Sequence, residues 1–247
     1  HQKRSYAHEY HDLVNAFCSP VHTAMDTDIT EAAACEGPLM RQRYARARVT
    51  LVTAAGVRVT YLIGCGGTQG DTNSPDQFSL VYEKPLAKWE ATYAGPSIDD
   101  PLWVIDPISG EGVSTGLTTF ADDAARCLSG IADPNSLKEE VARNDAAFNE
   151  ALKEVGMGQN MTKKEVVPRF LGRGAQGYMQ EVMRGDNDTT LGTVKKWVKY
   201  LGGYLTTESN DSRVETSHRC VALHTAWARL QGFWFSSFAG FSTKRKV

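Results

Sequence analysis

Thr118-Thr119-Phe120-Ala121-Asp122-Asp123-Ala124-Ala125 decides how the rest of the chain is read. Two adjacent carboxylates follow a β-branched and aromatic run and precede two alanines. Like charges side by side suit either a turn or a site for divalent cations. A tight turn accommodates both, because it breaks the alternation that sends neighbouring strand side chains to opposite faces. The pattern predicts strand, turn and strand from Gly116 to Leu128, with the run before the aspartates buried. A third carboxylate, Asp12, stands in Tyr10-His11-Asp12-Leu13-Val14-Asn15-Ala16-Phe17, at the end of an apolar-aromatic strand start. Oxygen donors of this kind select hard cations such as Mg²⁺. Two such ions, about 3.5–4 Å apart, clamp the attacking and leaving oxygens of a phosphoryl transfer. Without a cation the three carboxylates repel one another and hold protons more readily.

Composition bounds these readings. The chain has 247 residues, 41% hydrophobic and 23% charged, as expected of one or two ordinary globular domains. It contains no run of eighteen apolar residues, so no membrane span is expected. It opens on His1-Gln2-Lys3-Arg4, without an initiator Met or an apolar signal core. The expectation is a piece of a longer intracellular protein, nuclear or cytoplasmic and not secreted. Five scattered cysteines with no C-x-x-C pair suit reduced thiols better than a disulfide or zinc scaffold. The spacing His8-Glu9-Tyr10-His11 is not a helical H-E-x-x-H, and no G-x-x-x-x-G-K-[ST] loop is present. The net charge of −2 predicts no bulk attraction to a polyanion, but the charge is uneven. Ile98 to Asn160 carries twelve acids against four bases, and Leu191 to Val247 nine bases against three acids. A further basic cluster is Arg41, Arg43, Arg46 and Arg48. An acidic centre between basic flanks fits a metal site beside a nucleic-acid track, and equally fits solvated faces of uneven charge.

Periodicity and punctuation predict mixed elements. A helix is expected from about Asp28 to Arg46, interrupted at Gly37-Pro38. Arg48–Val52 and Val57–Ile63 read as a hairpin around Ala54-Ala55-Gly56. Ser74-Pro75 opens a helix reaching about Tyr93. Residues 95–116 read as a loop or irregular hairpin. Ser136-Leu137-Lys138-Glu139 reads as a capping box. The helix it opens has Leu137, Val141, Phe148, Leu152 and Val155 on one face and Gly156 at its end. A strand is expected over Glu165–Leu171, loop over 172–192, a strand over Trp197–Leu205 and a helix from Asp211 to about Phe233. The order indicates α+β rather than a wound parallel sheet.

Several motifs in order resemble the palm of reverse transcriptases, most closely those of non-LTR retrotransposons and group II introns. Asp12-Leu13-Val14-Asn15-Ala16-Phe17 is similar to the family's D-x-x-x-A-F. Gln69-Gly70-Asp71-Thr72-Asn73-Ser74-Pro75 is similar to QG-x-x-x-SP, and Phe120-Ala121-Asp122-Asp123 to [FY]-x-DD. Gly156 to Glu165 resembles GL-x-x-N-x-x-K-[ST]-E, and Tyr200-Leu201-Gly202 the YLG of a primer grip. The resemblance covers roughly residues 8–210. It departs in a long Gln69–Asp122 interval and in Ala124-Ala125-Arg126, less apolar than usual after the aspartates.

The resemblance implies an α+β polymerase palm, an antiparallel sheet backed by helices, with partial fingers over residues 1–205 and the start of a helical thumb over 206–247. It implies an RNA-directed DNA polymerase that joins a dNTP to a DNA primer 3′-OH on an RNA template, within a longer polyprotein. Asp12 and Asp122 would hold two Mg²⁺ or Mn²⁺ ions, with the Leu13 backbone, and Asp123 would support the site. Leu13, Val14, Phe17, Gln69, Gly70 and Lys163 would surround the nucleotide. Phe17 would exclude a ribose 2′-OH, and Lys163 would meet the leaving pyrophosphate, with Lys164 an adjacent candidate for that role. Tyr200, Leu201 and Gly202 would hold the primer. The competing expectations are an inactive palm serving as a nucleic-acid-binding module and an RNA-directed RNA polymerase.

Overall fold

The structure, a computed structural model, describes residues 5–67, 72–92, 103–114, 116–185, 189–206, 212–230 and 235. The chain divides into two compact units, residues 1–195 and 196–247. The first unit runs β1 (Tyr6–His11), α1 (His22–Ala32), α2 (Gly37–Tyr44), β2 (Arg48–Val52), β3 (Arg58–Leu62), α3 (Ser74–Ala91), β4 (Trp103–Ile105), β5 (Gly112–Ser114), β6 (Leu117–Phe120), β7 (Asp123–Ser129), α4 (Pro134–Lys153), β8 (Glu165–Arg169), α5 (Ala175–Arg184) and β9 (Thr193–Val194). The second holds β10 (Trp197–Tyr200), β11 (Gly203–Thr206) and α6 (Arg213–Arg229).

Strand β1 lies at the centre of a five-stranded sheet of order β6-β7-β1-β8-β9. It pairs antiparallel with β7, in the register His11 to Ala124, and antiparallel with β8, in the register Tyr10 to Glu165. The pleat sends Ala7, Glu9 and His11 to one face, where all three are buried. Ala124, Arg126 and Leu128 of β7 lie buried at alternate positions beside them. Helices back that face. The Trp89 ring of α3 stacks on the Phe148 ring of α4 at 4.1 Å, and both side chains are fully buried. One core cluster joins them to Leu13, Met25, Ile29, Tyr44, Phe78, Val81 and Leu152. A second gathers Ala7, Leu128, Leu137, Val141, Val166, Phe170 and Leu191. Both draw on α4, so this helix ties the two halves of the core together.

The α+β class and the hairpins at β2–β3 and β6–β7 match the sequence reading, and four details differ. The first helix begins at His22, and Gly37-Pro38 opens α2 instead of interrupting a longer helix, since proline fits a first helical turn. The N-cap of α4 is Asp133, which accepts from the Ser136 N–H at 2.8 Å, so the cap lies one turn ahead of the expected box. Residues expected as loop hold α5, framed by Gly172, Gly174 and Gly185 and burying Val182. The expected strand over Trp197–Leu205 is a hairpin whose turn residues, Leu201 and Gly202, have φ of 48° and 82°. Positive φ at both turn positions suits the twist of a two-residue hairpin. In the second unit this hairpin carries the Tyr204 ring, stacked 3.8 Å from His218 of α6. No helix among the described residues is long and apolar enough to cross a membrane.

The Trp89–Phe148 stack generates a stability prediction. Phe148→Ala should lower unfolding free energy by about 3–5 kcal/mol, measured by denaturant titration, because removing a fully buried ring leaves a cavity in the first core cluster.

Candidate functional site

Asp12 follows β1 directly, one residue past the His11–Ala124 pair, and Asp123 is the residue before Ala124 on β7. Alternation therefore sends both carboxylates to the face opposite Glu9 and His11, at one end of two paired strands. Asp122 occupies the turn between β6 and β7, where Phe120 pairs with Asp123. Ala121 takes φ of 53°, a left-handed conformation that a non-glycine residue adopts at a cost. The run before the aspartates is not buried as expected. Thr118, Thr119 and Phe120 are exposed, with Phe120 at 65%, because β6 is the edge of the sheet. The buried partner is β7.

The three aspartates influence one another. Burial raises the Asp123 pKa, the charges of Asp122 and Asp12 raise it further, and Lys163 opposes them. Lys163 Nζ lies 3.0 Å from Asp12 Oδ2, and Asn160 Nδ2 donates to the same oxygen at 3.0 Å. The sequence left Lys163 and Lys164 as rivals, and the structure separates them. Lys163 is exposed against Asp12, whereas Lys164 is fully buried.

The other expected nucleotide residues fall in different places. The Val14 N–H donates to the Gly158 carbonyl at 2.9 Å, and the Asn160 N–H to the Asp12 carbonyl at 2.8 Å. These bonds flank a bridge between Leu13 and Gln159. The Val14 amide, on a residue expected beside the nucleotide, is thus used within the chain, and the Leu13 side chain is core. Phe17 is half-buried, its ring 4.9 Å from that of Phe78. Gln69 and Gly70 lie outside the described residues, and the two glycines at 66 and 67 are held by the backbone ahead of them. Gly66 and Gly67 donate to the carbonyls of Pro20 and Phe17 at 2.7 and 2.9 Å. A Cβ on Gly66, at φ 66°, would meet Cys18 Cα at 2.3 Å, so only glycine permits this approach. Tyr200, Leu201 and Gly202 belong to the β10–β11 hairpin of the other unit.

Beneath Asp12 lies a polar cluster that sequence reasoning missed. Asn144 Nδ2 donates to Glu9 Oε2 at 2.7 Å, and Trp89 Nε1 donates to Asn144 Oδ1 at 2.8 Å. Gln159 Nε2 lies 2.6 Å from His11 Nδ1 and donates to Asp145 Oδ1 at 2.9 Å. Lys164 Nζ bonds Asp145 Oδ2 and the Thr190 carbonyl, and stands 3.6 Å from Glu9 Oε1. Arg126, opposite Glu9, bonds the Trp89 carbonyl at 3.2 Å and lies over its ring. Burial pushes the Glu9 carboxyl up to about 8, with the Asp145 charge adding and Lys164 opposing. Burial, Lys164 and Arg126 hold His11 down to about 3. Near pH 7 the cluster thus holds a protonated Glu9, a neutral His11, the Lys164–Asp145 ion pair and the Arg126 guanidinium. Its signal was present but faint: Asn144 and Asp145 interrupt the apolar face of α4 between Val141 and Phe148.

Glu9, His11 and Asp145 each offer one ligand atom within 4.8 Å of the others, and this buried set could hold a metal ion. Its cationic position is already served by Lys164. Asp12, Asp122 and Asp123 do not close to that spacing as a set; mutual repulsion separates carboxylates, and the Lys163 ammonium holds one of them. Their chemistry nevertheless fits hard divalent cations, since all three are oxygen donors and Asp123 carries repulsion that a cation would relieve.

No family model and no curated protein matches the chain. A solved structure of apo telomerase from Candida tropicalis, truncated from its C-terminal domain, is similar over 84% of this chain, with a TM-score of 0.54 and 12% identity. The chain spans 35% of that telomerase chain. At this identity the likeness is one of fold alone: the helix-backed sheet is palm-like.

Glu9 generates a pH prediction. Its ordinary value of 4.5 rises to about 8 on folding, so the folded state keeps a proton that the unfolded chain releases. The Glu9 contribution to stability is therefore full below about pH 4.5 and falls as pH rises through the window to about 8, by at most ~1.4 kcal/mol per pH unit. His11, held down to about 3, opposes it up to its ordinary value of 6.5, so the net fall is expected between about pH 6.5 and 8. Thermal unfolding should show this fall, and Glu9→Gln should flatten it. Parallel profiles for the two proteins would count against a protonated Glu9.

Proposed function

We propose that the chain is the palm of an RNA-directed DNA polymerase of the non-LTR retrotransposon or group II intron type, joining a dNTP to a DNA primer 3′-OH on an RNA template. The observation that carries this reading is the meeting of Asp12 with the Asp122-Asp123 turn at one end of two paired strands. The reverse-transcriptase-like fold supports it. So does the order of the motifs, with Asn160 and Lys163 of the fourth lying against Asp12 of the first.

Asp12, Asp122 and Asp123 would hold two Mg²⁺ or Mn²⁺ ions, which when bound supply Lewis acidity to the reacting oxygens. The remaining work falls to the chain's own groups. Asn160 fixes one Asp12 oxygen and so orients the carboxylate. Lys163, with its side chain 65% exposed, can turn from Asp12 toward a triphosphate and offer a proton or a charge to the leaving pyrophosphate. Phe17, held against Phe78, presents a ring five residues after Asp12. A ring there leaves no room for a 2′-OH, which favours DNA synthesis over RNA synthesis.

Primer extension on an RNA template with Mg²⁺ tests the reading. Asp122→Asn and Asp123→Asn should each lower the rate by ~10²-fold or more, the scale of removing one group that stabilises a transition state. Unchanged extension sinks the assignment. RNA binding retained without Mg²⁺ or Mn²⁺ binding at the aspartates would point to a non-catalytic module. A separate expectation concerns nucleotide choice: Phe17→Val should admit ribonucleotides, and unchanged dNTP preference in competition assays would remove the steric role.

A further inference from the structure

Asp145 of α4 uses its two carboxylate oxygens on two different residues. Oδ1 accepts from Gln159 and Oδ2 from Lys164. Those residues bracket the turn from Asn160 to Lys163, which meets Asp12 three times. The Asn160 N–H bonds the Asp12 carbonyl at 2.8 Å, the Asn160 amide bonds Oδ2 at 3.0 Å, and Lys163 Nζ lies 3.0 Å from the same oxygen. The Lys163 N–H closes the turn on the Asn160 carbonyl at 3.0 Å. One buried carboxylate thus grips both ends of the segment that holds Asp12.

The neighbourhood is built around this grip. Lys164 has no exposed surface, and a buried ammonium is tolerated only when paired and hydrogen-bonded. Gly192, at φ 65°, makes room for it: a Cβ there would stand 2.8 Å from the Lys164 carbonyl and 3.0 Å from its Cε. The Thr193 N–H then bonds the Lys164 carbonyl at 3.0 Å. Lys164 stands where the motif quoted above has Ser or Thr, so this anchor belongs to the present chain and not to the general pattern.

We propose that Asp145 is a positioning residue, which through Gln159 and Lys164 clamps the 159–164 turn and so aims Asn160 and Lys163 at Asp12. The inference rests on the polymerase reading for its functional consequence, but the clamp itself can be tested without activity. The first measurement is amide hydrogen exchange on the metal-free chain. Asp145→Asn should speed exchange at Asn160 and Val14 about tenfold, the size of one lost charge-assisted hydrogen bond, while the β1–β7 amides keep their protection. Unchanged exchange at Asn160 overturns the proposal. If Asp145→Asn unfolds the chain, Gln159→Leu, which keeps the ion pair, should free Asn160 alone, and unchanged protection there again overturns it.

The second measurement is a double-mutant cycle on extension rate. If Asp145 acts through Lys163, Asp145→Asn should cost little more in a Lys163→Met background than Lys163→Met costs alone. Fully additive losses would mark a merely structural role and overturn the inference. A chain that shows the exchange change yet extends no primer in its native form supports the clamp and removes only the polymerase reading beneath it.

Discussion

Strand β1 is hydrogen-bonded on both sides, and its period of two leaves no freedom over which residues face the helices. A slip of one residue would turn Tyr6, His8 and Tyr10 toward the helices and send Asp12 to the face that now holds Glu9 and His11. In the observed register Glu9 meets Asn144, and His11 lies beside the stacked rings of Trp89 and Phe148, 5.2 and 5.0 Å from their centroids. Polar partners of this kind are register marks: shifted by one position, each would lose its hydrogen bonds while buried, and an unpaired buried polar group costs about 1–3 kcal/mol. The cluster below the strand and the aspartates above it are therefore two results of one alignment.

The electrostatics divide along the same plane. Below the strand the charges are buried, with one ammonium against one carboxylate, the Arg126 guanidinium over Trp89, and the neighbouring acid and imidazole neutral. Above it, three carboxylates share an exposed lysine, and the repulsion among them is only partly offset. Adjacent lysines serve the two sides because residues 163 and 164 lie just ahead of β8, where the turn gives way to extended chain. The first lies in a turn facing solvent, and the second is drawn in toward Asp145.

How much of this could be read from the residues follows from the range of the interactions. The Asp122-Asp123 turn, the β2–β3 hairpin and the apolar face of α4 are local, and their patterns were visible. Asp12 and the turn were linked by the order of motifs, since nothing local connects positions more than a hundred residues apart. The edge position of β6 was hidden because strand composition does not say which neighbour a strand lacks. Helix α5 was missed because the glycines that frame it, Gly172, Gly174 and Gly185, read as loop, although Tyr178, Met179 and Val182 form the face it packs on the core. The Lys164–Asp145 pair joins a turn to a helix and announces itself only as a polar interruption in an apolar stripe. Buried charge is the feature a hydrophobic pattern reads least well, because its stability depends on a partner that the pattern does not identify.

Gly192 carries a consequence for inheritance. A Cβ there would stand 2.8 Å from the Lys164 carbonyl, a backbone atom that any residue at 164 shares, and 3.0 Å from the Lys164 Cε. Position 164 is therefore free to change while 192 stays glycine, whereas a larger residue at 192 is barred by the backbone and by its φ of 65° whatever 164 carries. Descendants of this chain should lose the lysine before they lose the glycine.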